Sequence, residues 1–127
     1  MDKTVYHISV SDVDDWFLKE VFAIMDDVWP PKENKIIPFA KRKNDYLSKY
    51  HDGHLFVMKH HGRIVSHAGI FPRQITVGKI PCDINALASV CVLKEHQGNQ
   101  LGAAIVRHTF DFIMKSTIPR TLYQTGV

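Results

Sequence analysis

A mixed α/β fold, with a mostly antiparallel sheet and helices on both of its faces, is what this sequence predicts. Three observations carry the prediction. Val13, Phe17, Val21, Ile24 and Val28 fall at spacings of four, four, three and four, the period of one helix face. Residues 55–92 are rich in β-branched and apolar types and are punctuated by short glycine turns, as in a run of strands. A second helical stretch, from Gly98 to about Ser116, is then followed by another extended segment. The order reads β-α-α-β-β-β-α-β.

Taken in sequence, Thr4–Val10 alternates as a first strand. Ser11 has the chemistry of an N-cap, with Asp14 three residues on completing a capping box. Trp29-Pro30-Pro31 ends the first helix, because proline lacks the N–H that the ladder needs and restricts the residue before it. The segment 30–38 is a proline-bounded connection placed to cover a substrate cleft. Phe39–His51 forms a second helix, with Phe39, Tyr46, Leu47 and Tyr50 on one side and the basic trio Lys41-Arg42-Lys43 on a solvated face. Leu55–Lys59 and Ile64–Ile70 pair as a hairpin about the turn at residues 60–63. Pro72 interrupts regular pairing, Gln74–Val77 continues extended, and Gly78-Lys79 turns the chain. Ile84–Val92 is apolar on both faces and so belongs inside the sheet. Leu101, Ile105, His108 and Phe112 line the last helix, widened by Val106, Phe110 and Ile113; Pro119 stops it, and Thr121–Thr125 begins the final strand.

Length and composition bound the function. The 127 residues make one domain, 1–127, with 45% hydrophobic and 23% charged residues, an ordinary globular balance. A net charge of +3, without a concentrated basic stripe, argues against a nucleic-acid partner. The longest apolar run, residues 86–92, falls short of the about 18 residues of a membrane span, so no membrane partner is expected. The N-terminus turns polar at Ser11 and Asp12 before a signal peptide could form, which makes a cytoplasmic location the expectation. Cys82 and Cys91, nine residues apart on one strand, point to opposite faces and read as reduced thiols. His51, His54, His60 and His61 lack zinc-type spacing and a cysteine partner, so they read as turn and surface residues and no metal is expected. His67 reads as a hydrogen-bonded sheet histidine, with a cleft position as the alternative. Trp16 and Trp29 read as core or rim.

The chemistry concentrates between the long strand and the last helix. There a buried strand, a polar turn and glycines opening a helix make a phosphate cradle: the first helical turn leaves N–H groups unpaired, and glycine lets an anion approach them. The segment Gln97-Gly98-Asn99-Gln100-Leu101-Gly102, following Val90-Cys91-Val92, resembles the GNAT superfamily of N-acyltransferases. That family opens its helix with Gln or Arg, two residues, Gly, one residue, then Gly or Ala. Gln97 and Gly102 match, and Gln100 stands where glycine is usual. The hairpin 62–70 also resembles the family's second and third strands.

The resemblance implies an acetyl-coenzyme A-dependent N-acetyltransferase acting on a primary amine of a small molecule. It implies that the backbone of Val90, Cys91 and Val92 pairs with the pantetheine arm, and that Gln97, Gly98, Asn99, Gln100, Leu101, Gly102 and Ala103 hold the pyrophosphate of coenzyme A. For the proton transfers, Asp83 is the nearest carboxylate to the place of the family's strand base, and Tyr123 is the candidate acid. Relative to the family the chain reads as C-terminally incomplete, and an exposed sheet edge offers a homodimer contact. The alternative function is a non-catalytic GNAT-like module that binds coenzyme A or dimerises.

Overall fold

Five strands and three helices follow in the expected order: β1 (Val5–Ser9), α1 (Asp15–Val28), α2 (Phe39–Tyr50), β2 (His54–His60), β3 (Arg63–Val77), β4 (Ile80–Val92), α3 (Leu101–Met114) and β5 (Thr121–Tyr123). The computed structural model describes residues 3–32 and 36–123, with side chains as far as Thr121. The strands lie in one sheet in the order β1-β2-β3-β4-β5. The first four are antiparallel neighbours, and β5 runs parallel to β4, pairing Asn85–Leu87 with Thr121–Tyr123. The α/β class and the mixed, mostly antiparallel sheet expected from the sequence are therefore what the chain forms.

Local chemistry sets each boundary. The first helix does not begin at Ser11. Residues 10–12 make a single 3₁₀ turn and Val13 is extended; the N-cap is Asp14, whose carboxylate accepts the Phe17 N–H at 2.8 Å. Asp14 has the extended backbone that a cap requires, which the 3₁₀ turn denies to residues nearer Ser11. The β2–β3 hairpin turns on two residues with positive φ, His61 (52°) and Gly62 (75°), the primed turn that matches strand twist. Gly78 (65°) opens the two-residue turn between β3 and β4. Pro72 does not interrupt pairing: it sits opposite Asn85 in an unbroken β3. Its pairing with β2 has already ended at Ile70, so β3 has β4 as its one neighbour there, and an edge position tolerates proline.

Alternation across β1 and β2 divides the two faces. His7 stacks on Phe56 (4.7 Å, 6°), and Phe112 of α3 packs against Phe56 at 5.3 Å. Tyr6, next to His7 and so on the other face, shares Lys59 with Phe17 of α1. Helices α3 and α1 thus cover opposite faces. Leu18, Val21, Phe22 and Ile24 fill one interior, and Leu101, Ile105 and Ile113 the other, around the fully buried Leu55–Met58. The buried stripe of α3 is Leu101, Ile105, Thr109 and Ile113; His108 is exposed, so the helix is rotated relative to the face read from the sequence. Thr109 can take the inward place because its hydroxyl donates to the Val106 carbonyl at 2.7 Å. Trp16 and Trp29 are exposed, on the rim. No helix among the described residues is long and apolar enough to cross a membrane.

The basic trio on α2 is paired rather than free. Lys41 meets Asp45, Lys43 meets Asp15, and Arg42 makes a two-pronged pair with Asp26 at 2.9 Å and 2.9 Å while lying 4.2 Å over the Phe22 ring. Arg42 therefore ties α2 to α1 through charge and packing together. Arg42→Ala is expected to lower stability by about 1–2 kcal/mol, since a half-exposed bidentate pair and a cation–π contact are lost at once. Arg42→Lys should recover less than half of that, because an ammonium cannot reproduce the fork. Urea unfolding of the three proteins measures both.

Candidate active site

The long strand β4 carries one residue too many for its partner. Ser66 pairs with Val92 and His67 with Cys91, yet Gly69 pairs with Ala88. Ser89 and Val90 together oppose the single residue Ala68, which is a β-bulge. Ser89 accommodates it with a left-handed backbone, φ 56°. Its carbonyl, turned out of regular pairing, lies 2.9 Å from His67 Nδ1. A carbonyl only accepts, so Nδ1 carries the proton and donates. His67 is completely buried, and burial pushes its pKa down to about 4, partly opposed by the bond to Ser89; the ring is neutral at pH 7. Its Nε2 is buried and has no hydrogen-bond partner among the described residues. Pairing resumes past the bulge, where the Leu93 N–H donates to the Val65 carbonyl at 2.9 Å.

Beyond β4 the chain makes one 3₁₀ turn, Lys94–His96, pinned by the Lys94 N–H to the Asp27 carboxylate (2.9 Å) and by the Arg63–Glu95 ion pair (2.9 Å). Gln97 reaches back and donates its side-chain amide to the Val92 carbonyl at 3.2 Å, while Asn99 donates to the His96 carbonyl at 3.3 Å. Gly98 has φ 91°, open only to glycine without strain. Gln100, the N-cap of α3, is left-handed at φ 60° and gives no side-chain cap. The first intrahelical bond of α3 runs from the Ala104 N–H to the Gln100 carbonyl. A cavity of ≈ 300 Å³ opens at this helix start, lined by Val92, Gln97, Gly98, Gln100, Leu101 and Gly102, with His96 at its side. A Cβ placed on Gly102 would meet only Val92 Cγ2, at an ordinary 3.6 Å.

On the other side of β4 lies a second cavity of ≈ 310 Å³, and Ser89 lines it. Its other walls come from α1 and α2: Phe22, Met25, Asp45, Tyr46, Lys49 and Tyr50, with Ile37 and Arg42. Tyr46 is buried, its hydroxyl has no hydrogen-bond partner among the described residues, and burial raises its pKa, with the neighbouring Tyr50 adding to the effect. The bulged segment of β4 thus lies between two open spaces, one largely apolar at a helix start and one aromatic with Arg42, Asp45 and Lys49 around it.

The family model for an acetyltransferase (GNAT) domain matches residues 9–119. The chain belongs to the GNAT acetyltransferase family. No functionally curated protein matches its sequence. Among solved structures it resembles an aminoglycoside acetyltransferase from an uncultured soil metagenomic sample, with a TM-score of 0.70 and 13% identity over 97% of this chain and 77% of that one. It also resembles glucosamine-6-phosphate N-acetyltransferase from Arabidopsis thaliana (0.66, 14%, 98% and 84%) and an Agrobacterium tumefaciens putative acetyltransferase (0.71, 14%, 97% and 81%). At these identities the likeness is one of fold.

Against that GNAT frame, the residues expected to hold coenzyme A gather around the helix-start cavity. Gln97, Gly98, Gln100, Leu101 and Gly102 line it, with Asn99 and Ala103 exposed beside it. Val92 reaches it from β4, Val90 belongs to the bulge, and Cys91 is buried, its thiol pushed up to about 12 by burial and by the charge of Asp27. The candidate proton-transfer residues do not gather there. Asp83 is exposed on β4, accepting from the Gln74 amide at 3.3 Å, and lines neither cavity. Six residues from Ser89, it lies roughly 20 Å along the strand. Tyr123 pairs through its backbone with Leu87, and its side chain lies outside the described residues.

Two features had been missed. A serine in a strand gives no sign of a bulge, where glycine or asparagine would have. Asp45 and Lys49, beside Tyr46 and Tyr50 on α2, did carry a signal: charged residues four apart next to the apolar stripe of an amphipathic helix.

The strain at Gln100 predicts that Gln100→Gly raises stability by about 1 kcal/mol, the relief of a left-handed non-glycine less the added freedom of the unfolded chain. Thermal unfolding measures it. Burial of neutral His67 predicts a pH dependence. Its folded pKa lies below the ordinary 6.5, so between pH 6.5 and about 4 the unfolded chain binds a proton that the native state refuses. The stability linked to His67 is complete above pH 6.5 and falls with acidification to a floor near pH 4, by roughly 3 kcal/mol in all. His7 and His54, also lowered by burial, add in the same direction. Urea titrations at pH 7 and pH 4 should show this loss, and His67→Asn should show less of it.

Proposed function

We propose that this chain is an acetyl-coenzyme A-dependent N-acetyltransferase acting on a primary amine of a small molecule. One observation carries the reading: the bulge at Ser89 and Val90 sets a short piece of β4 backbone between two cavities, one suited to a phosphate-bearing coenzyme and one to an amine. Acetyl-coenzyme A, when bound, supplies the activated acyl group as a thioester.

The chain's own residues account for the rest. The open N–H groups of the first turn of α3, with Gly98 and Gly102 leaving room, would hold the pyrophosphate. The backbone of Val90–Val92, beyond the residues that β5 is described as pairing, would take the pantetheine arm as an added strand. Strand N–H groups at the bulge would stabilise negative charge on the thioester carbonyl oxygen of bound acetyl-coenzyme A. In the second cavity a cationic amine would take the place of Lys41 on Asp45, with the Tyr46 ring beside it and against the charges of Lys49 and Arg42 that line the same space. With Asp83 so far along the strand, the ammonium proton leaves through water toward Asp45 rather than to a strand carboxylate. The remoteness of Asp83 also favours a second reading, a module that holds coenzyme A without turnover.

Calorimetric titration with acetyl-coenzyme A should show one site per chain, and failure of a folded sample to bind would sink both readings. Gly102→Leu separates ligand from packing, since alanine is one of the two residues the family accepts there. Position 102 is half-buried and the first added carbon meets Val92 Cγ2 at an ordinary 3.6 Å, so the protein should still fold, which thermal unfolding checks. Binding of acetyl-coenzyme A should nevertheless weaken at least about tenfold, as the bulky side chain intrudes where the backbone must be approached. Turnover is then sought on an amine panel including an aminoglycoside and glucosamine 6-phosphate, the compounds for which two structural neighbours are named. Asp45→Asn should lower kcat/KM by about tenfold and Asp83→Asn by less than about twofold. Binding without turnover on any amine would select the non-catalytic reading.

A further inference from the structure

A wholly buried histidine with one nitrogen left unpaired needs a reason, because an aliphatic side chain would fill the same space without desolvating a polar ring. His67 sits opposite Cys91, at the last regular pair before the bulge of β4. The bulge leaves the Ser89 carbonyl without a strand partner, in a segment where an orphaned carbonyl is costly. Ser89 also holds a left-handed backbone that serine does not favour, so the surroundings must hold it there. The contact that does both is the 2.9 Å bond from His67 Nδ1.

We infer that His67 is a positioning residue: by donating Nδ1–H to the Ser89 carbonyl it holds the β4 bulge, and so sets where the N–H groups of Val90–Val92 point. Ser89 faces the second cavity while Val92 lines the helix-start cavity, so the geometry of this one turn governs both. The consequence for acyl transfer rests on the function proposed above; the clamp itself does not.

The chemistry of the two simplest replacements makes the inference testable. Asparagine places an N–H donor near the position of histidine Nδ1, whereas leucine fills the space and donates nothing. If His67 serves only to pack, leucine should be the milder change; if it serves as a donor, asparagine should be. Nitrogen-15 NMR of the whole chain should find His67 neutral, with the proton on Nδ1. Amide exchange at Val90, Cys91 and Val92 should quicken about tenfold in His67→Leu and stay within about threefold of wild type in His67→Asn, the scale expected for one lost buried hydrogen bond. In the double variant His67→Leu with Ser89→Gly, glycine adopts the left-handed turn unaided, so part of the protection should return. That comparison also serves if His67→Leu alone does not fold.

The affinity for acetyl-coenzyme A should follow the same order, with asparagine above leucine. A proton on Nε2, equal exchange in the two single variants, or leucine outperforming asparagine would each overturn the inference. Wild-type protein that fails to bind acetyl-coenzyme A would instead remove the proposed function, and the tautomer and exchange data would still decide whether His67 holds the bulge.

Discussion

An antiparallel ladder has no slack. Once Ser89 and Val90 share a single partner, Ala68, everything after them on β4 is displaced by one residue relative to everything before. Before the bulge, Ile84 and Leu87 lie in the body of the sheet and β5 runs alongside. After it, Cys91 and Leu93 are the buried residues, and the strand leads into the turn that opens α3. The bulge is therefore where a continuous sheet becomes a site. Its stability depends on very little: a serine in a backbone region that disfavours it, and one carbonyl that must find a donor in the interior.

The two ends of the helix-start cavity are stabilised differently, and the contrast separates packing from ligand. Gly98 is glycine because its φ of 91° demands it, whatever binds there. Gln100 shows that the chain accepts a strained left-handed residue at a similar place, at a cost of about 1–2 kcal/mol. Gly102 is of a third kind. Its φ falls outside the positive range, a methyl would fit against Val92, and a glycine inside a helix turn is a small loss of stability. A small residue at this place, glycine here and glycine or alanine in the family pattern, leaves the backbone of the helix start open to something that must approach it.

Much of this was legible in the sequence. Five strands and three helices were read in the right order because their periods were clean, as in Val21 and Ile24, and because Gly62 and Gly78 mark turns that few other residues make. The helix-start segment was legible because Gln97 and Gly102 are spaced as the GNAT family spaces them, with Gln100 where glycine is usual. What escaped depends on contacts between distant residues. Whether Pro72 breaks a strand depends on where β2 ends, and whether Arg42 is a solvated charge depends on Asp26 lying across from it. The bulge is the clearest case: it is a difference in count between two strands, so neither strand's sequence contains it.

The same reasoning bears on how the acceptor side is built. The walls of the second cavity come mainly from α2, which is joined to α1 by Arg42 bridging Asp26 and Phe22 and by the Phe22–Tyr46 contact at 5.5 Å. The other wall is the backbone of the bulge at Ser89. One side is thus set by an ion pair at the surface and the other by a hydrogen bond in the interior, and the two respond differently to the solvent. Salt screens the first, while the second, made by a fully buried His67, is screened far less. Ionic strength therefore loosens the amine-side helix with the strand intact, so one wall of the site can be perturbed apart from the other without changing a residue.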